Sequence, residues 1–173
     1  MKIDLQQAQK DTELWLKNSI EVPTPAMNGV AVCPYAKHAR TNQKITFRLG
    51  GHPYEDLVEH AKVGNQGYDV FLYLYDPSKW DPKVFHEMVY LANDGDLAKV
   101  DLISLPDHPY EHESINGIVC NQGKYAFNMI APLSALNEAS AKLYKNGYYD
   151  NFHNVSEDYM TALFRGRKDP RKQ

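Results

Sequence analysis

Apolar residues at Leu5, Ala8, Trp15, Leu16 and Ile20, with Thr12 on the same side, recur close to the helical repeat, so residues 4–20 are expected to form an amphipathic helix. Pro23 and Pro25 should end it. The short apolar run from Gly29 to Cys33 reads as a strand halted by Pro34. Ile45-Thr46-Phe47-Arg48-Leu49 alternates apolar with polar, the pattern of a strand with one wet face. Residues 53–63 read as a helix opened by Pro53 and stopped by Gly64. Residues 69–75 are apolar almost throughout, as a strand buried on both faces would be.

Asp81-Pro82 opens the next helix, with aspartate as N-cap and proline at the first helical position. Residues 100–105 read as a further strand, stopped by Pro106. Asn116-Gly117 is a turn signal leading into a strand at 118–120, and Gln122-Gly123 turns the chain again into Tyr125–Ile130 as a hairpin partner. A helix is expected from 133 to 146 with Gly147 as its stop, and a last one from 156 to 164 capped by Ser156. The order contains two βαβ units. It predicts one α/β (or α+β) domain over residues 1–164, a mixed and mostly parallel sheet with packed helices, followed by a basic tail at 165–173.

Composition adds limits more than detail. The 173 residues are 43% hydrophobic and 24% charged, a globular balance, and the net charge of −3 argues against a general nucleic-acid binder. No apolar run is long enough to span a membrane, the first residues do not form a secretory signal, and two cysteines make no disulfide framework; cytoplasmic is the default expectation. Arg165, Arg167, Lys168, Arg171 and Lys172 read first as a solvated terminus and second as a phosphate- or partner-binding tail. Twelve tyrosines are the one oddity. Rings such as Tyr35 and Tyr110 can line a ligand cleft or simply finish the edge of a core.

Ligands of open α/β sheets bind beyond the carboxyl ends of parallel strands. On the expected strands those ends carry Cys33, the Gly50-Gly51-His52 turn, Asp76, and Asp107-His108. Cys33 before a helical turn, near Lys37, His38 and Arg40, could be held as thiolate, with His108 as its proton partner. Arg48 or His52 would then bind an anionic group of a small-molecule ligand, and Tyr35 and Tyr110 would line the cleft. The plainer reading makes Cys33 a small core hydrophobe. Asp107-His108-Pro109-Tyr110-Glu111-His112-Glu113 is dense in metal-ligand types, and His108, His112 and Asp107 are its candidate ligands for a divalent metal; the alternative is a solvated acidic loop. No dinucleotide or Walker glycine pattern, zinc-protease pair or nucleophile elbow is present. Three readings therefore stand: an enzyme using Cys33 and His108, a metal-binding protein, and a non-catalytic ligand-binding module.

Cys33-Pro34-Tyr35 repeats the opening of the glutaredoxin motif, but Ala36 stands where the second cysteine is required, which excludes dithiol chemistry there. The chain resembles, in scattered pieces, an uncharacterised family of bacterial proteins with a Cys-Pro-Phe-Ala motif near the N-terminus. The matching pieces are Trp15, the run Asn28 to Ala36 with Tyr35 in place of phenylalanine, His108-Pro109-Tyr110, and Glu138-Ala139-Ser140. The resemblance implies no known activity, only that Cys33 and His108 lie in that family's two most distinctive motifs.

Overall fold

The alternating segment forms strand β1, Ile45–Leu49, and the apolar run forms β2, Val70–Tyr75, in a computed structural model that describes residues 2–172. Two helices precede them: α1, Leu5–Trp15, continued by one wide turn over Leu16–Ile20, and the short α2, Ala36–Thr41. Helix α3, Pro53–Val63, joins β1 to β2 as a parallel crossover, in which Ile45 pairs with Val70 and Leu49 with Leu74. Helix α4, Pro82–Ala92, is capped by Asp81, whose carboxylate accepts from the amides of Lys83 and Val84, and leads to β3, Leu102–Asp107. Strands β4, Ser114–Ile115, and β5, Ile118–Val119, make a small hairpin apart from the main sheet. Strand β6, Ala126–Pro132, runs directly into α5, Leu133–Lys145, and α6, Glu157–Leu163, follows behind the Ser156 cap.

The α/β class holds, with a four-stranded sheet in the order β1-β2-β6-β3. The parallel content is smaller than expected. β6 inserts antiparallel between β2 and β3, so β1, β2 and β3 point the same way but only β1 and β2 are parallel neighbours. Pro106 does not stop β3; it lies within it, opposite Asn128. β3 is an edge strand, where a missing amide costs no ladder bond on the open side. The Asn116-Gly117 turn, with φ of 52° and 83°, closes β4 onto β5, so residues 118–120 do not pair with the run that becomes β6.

The expected strand at Gly29–Cys33 is absent. Left-handed Asn28 and Gly29 fold the chain back so that only a single bridge, Thr24 to Val30, forms. The Cys33 amide instead donates to the Ile20 carbonyl at 3.0 Å, which pins this loop to the end of the first helix.

Alternation along the strands divides the core between two faces. One face packs Phe71, Tyr73, Tyr75 and Ile130 against Leu57 of α3 and Phe85 and Val89 of α4. The other carries Phe47, Leu72, Leu74 and Phe127 against Ala8 and Trp15 of α1. Each fully buried side chain of this size contributes about 1.5–3 kcal/mol. A third cluster, Met27, Ile115 and Tyr148, ties the N-terminal loop and the hairpin to the C-terminal part of the chain.

The three arginines of the basic C-terminal segment contact the body, while the Lys168 and Lys172 side chains are exposed. Arg165 lies 3.8 Å over the Tyr90 ring, Arg167 donates to Ser140, Pro170 is buried, and Arg171 pairs with Asp169 and Glu157. Among the described residues, no helix is long and apolar enough to cross a membrane.

Candidate functional site

The second face of the sheet is not filled completely. Between the first helix and α5 it leaves a cavity of about 550 Å³, within the range of small-molecule sites. Its floor is the inward side of the sheet: Leu72, Leu105, Phe127, Met129 and Ala131. Trp15, Leu16 and Ile20 form one wall, and Leu136 and Ala139 of α5 form the other. Tyr35, His38, Glu138 and Lys142 are exposed and stand at the rim. The wide turn over Leu16–Ile20 helps shape this space, because it carries both Leu16 and Ile20 inward.

The polar chemistry lies at the buried end. Asp107, last residue of β3, shares the cavity face with Leu105 by strand alternation. One carboxylate oxygen accepts from Asn121 Nδ2 at 2.6 Å and the other from the Gln122 amide at 3.1 Å. The Asn121 side-chain oxygen accepts from the Glu113 amide at 2.7 Å, so one buried asparagine fixes both acidic residues. The Glu113 carboxyl lines the same cavity and has no hydrogen bond or ion pair among the described residues. Burial pushes Asp107 up to about 6. Burial, with repulsion from Asp107 and Glu111, pushes Glu113 up to about 7. Both carboxyl groups at the end of this apolar cavity are thus held by burial well above the ordinary carboxylate range.

Both cysteines line this space. The amides of Tyr35 and Ala36 do face the Cys33 sulfur and favour thiolate, as the position before α2 suggests. Burial outweighs them and raises the thiol above its ordinary value, and Glu21 adds repulsion. Arg40 is turned to Glu21, to which its Nε and one terminal nitrogen donate at 2.7 and 2.8 Å, and the small favourable field of Arg167 does not offset the burial. Cys120 is raised to about 11 by burial and by Glu113 and Asp107; its thiol donates to the Ile118 carbonyl at 3.3 Å. The thiolate expected at Cys33 is therefore replaced by a neutral thiol in the cavity wall.

His108 follows Asp107 and so faces the opposite side of the sheet. It is fully buried, with its ring edge-on to Phe85 at 5.7 Å and Tyr110 at 5.1 Å, and its Nδ1 accepts from the Tyr110 amide. Burial lowers its pKa and keeps it neutral. The structure thus separates His108 from Cys33, and the thiol–imidazole pair does not form. The same alternation breaks the expected metal set, since Asp107 and His108 diverge and His112 is exposed. Among the described residues, no three histidine, cysteine or carboxylate side chains converge to hold a metal ion.

The other expected ligand contacts are redistributed. Arg48 lies 5.1 Å over the Phe71 ring on the α3–α4 face. His52 caps α3 by accepting from the Glu55 amide, and its ring meets Trp80 edge-on at 5.1 Å. Tyr110 is 65% exposed and covers His108, so of the two tyrosines only Tyr35 reaches the cavity. Glu113, Asn121 and Trp15 are not among the expected catalytic, binding or metal residues. Extending β3 by two residues through Pro106 would have put Asp107 inward; Glu113 ends the run marked as dense in metal-ligand types, but nothing local separates it from its neighbours or marks Asn121.

No protein-family model, curated protein or solved structure matches this chain.

Proposed function

We propose that this chain is an enzyme that moves a proton to or from a small, largely apolar molecule held in the cavity. Glu113 serves as acid and base, and Asp107 is the fixed carboxylate beside it. The reading is carried by the Glu113 carboxyl, which lies at the buried end of the cavity without a protein partner and holds a proton close to neutral pH. A substrate would supply the missing hydrogen-bond partner, while Leu72, Phe127 and Met129 cover its apolar part. Cys33 and Cys120 contribute neutral, polarisable walls rather than a nucleophile.

A second reading, a carrier that binds the same kind of molecule without altering it, draws support from the apolar floor and the neutral thiols. Native mass spectrometry of molecules co-purified with wild type and with Glu113→Gln separates the two. An enzyme leaves the variant loaded with a species that wild type converts; a carrier yields the same ligand from both. Occupancy itself is read with anilinonaphthalene sulfonate in a Trp80→Phe background, where Trp15 in the cavity wall is the single indole reporter. The probe should quench Trp15, and Ala139→Phe should block it. Unchanged probe binding in Ala139→Phe would sink both readings.

A further inference from the structure

We infer that the groove beside the C-terminal segment binds the phosphate group of a small phosphorylated molecule, at a site separate from the cavity. The groove, about 850 Å³, lies between Tyr90 of α4, helix α6 and the last turns of the chain, and shares no lining residue with the cavity. Arg165, Arg167, Lys168 and Lys172 face it, against two carboxylates, Asp158 and Asp169. This is a local excess of positive charge in a chain whose net charge is −3. Asp169 is already engaged by Arg171, at 2.7 Å. Arg165, Arg167 and Lys168 have no ion pair among the described residues.

Arg167 is the observation that points to a ligand. Its guanidinium is half-buried above the Phe164 ring, donates to the Leu163 carbonyl and the Ser140 hydroxyl, and has a buried Nε with no acceptor. The ionisable groups whose fields act on it are the Tyr149 phenol and the Cys33 thiol, both kept neutral by burial. A desolvated cation without an internal counter-charge is costly, and an anion arriving from the groove would supply the charge the fold omits. Three unpaired cations around one opening favour an oxyanion with more than one negative charge, and guanidinium groups match phosphate geometry.

Thermal shift at fixed ionic strength, with inorganic phosphate as probe and chloride as control, tests the assignment. Phosphate should raise the melting temperature of wild type where chloride does not, and phosphorus NMR titration should give a saturable affinity. Arg167→Met should weaken that affinity at least about tenfold. Because Arg167 is half-buried, Lys168→Ala/Lys172→Ala on the exposed rim serves as a second variant that keeps the fold, and it should weaken phosphate several-fold. Stabilisation by chloride equal to that by phosphate, or full phosphate affinity in both variants, would overturn the site.

Discussion

Replacing Glu113 with glutamine should stabilise the protein above neutral pH and leave it almost unchanged in acid. The folded protein holds the Glu113 proton up to about pH 7, whereas the unfolded chain releases it near the ordinary glutamate value of 4.5. Between those values the folded state binds more protons than the unfolded one, so the Glu113 contribution to stability falls as pH rises through that window. Each unit of displacement corresponds to about 1.4 kcal/mol, which puts the full loss near 3 kcal/mol. Water entering the cavity screens part of it, leaving about 1–3 kcal/mol. Glutamine carries no charge at either pH and escapes the loss. For a chain of this length the gap corresponds to roughly 2–4 °C for each kcal/mol. Urea or thermal unfolding of both proteins at pH 4.5 and pH 8 measures it directly. A stability difference that does not change between those two conditions would refute the partly buried, partnerless carboxyl and the acid–base role built on it.

Iodoacetamide should label Cys33 more slowly than a free thiol at pH 7 and catch up only in alkali, because burial holds it protonated; rapid labelling in a mass-spectrometric time course would restore the nucleophile. Asn116→Ala should cost about 2–4 kcal/mol in denaturant melts, since this one side chain donates to the Ala26 and Asn151 carbonyls and accepts from the His153 and Asn154 amides. Gly50→Ala should destabilise by about 1–3 kcal/mol, because the added methyl would lie 2.0 Å from the Tyr75 ring; a neutral result in the same melts would mean that ring moves freely.

What the sequence reveals follows from how local each signal is. Helix α4 is legible from Asp81-Pro82, and β2 from its unbroken apolar run, because capping and two-sided burial act on a few adjacent residues. β6 is legible as a strand, but its place between β2 and β3 depends on residues more than fifty positions away, and proximity in sequence favours the wrong hairpin partner. Pro106 misleads for a related reason: its missing donor matters only if both sides of β3 are paired, and that depends on the order of the sheet. Once β3 ends at Asp107 rather than Leu105, Asp107 and His108 fall on opposite faces and the expected site divides. Cys33 lines the cavity although the strand expected to place it there does not form, and its protonation is decided by burial, which its charged neighbours in sequence do not report. Arg167 looks like tail because its partners, Ser140 and Phe164, come from packing.

The insertion of β6 also orders events in time. β3 pairs only with β6 within the sheet, so a growing chain that has emitted its first three long strands can pair β1 with β2 but can tether β3 only through Asn93 at the end of α4, which bonds the Ser104 amide and carbonyl. The sheet closes only after residues 126–132 arrive, and the α5 wall follows immediately from the end of that strand. Until then Leu72 and Leu105 lie on separate, unjoined pieces, and neither the cavity nor its acidic end exists. The segment that completes the fold is thus the one that creates the site, which makes the chamber a late product of synthesis and leaves truncated chains with an exposed strand edge prone to association.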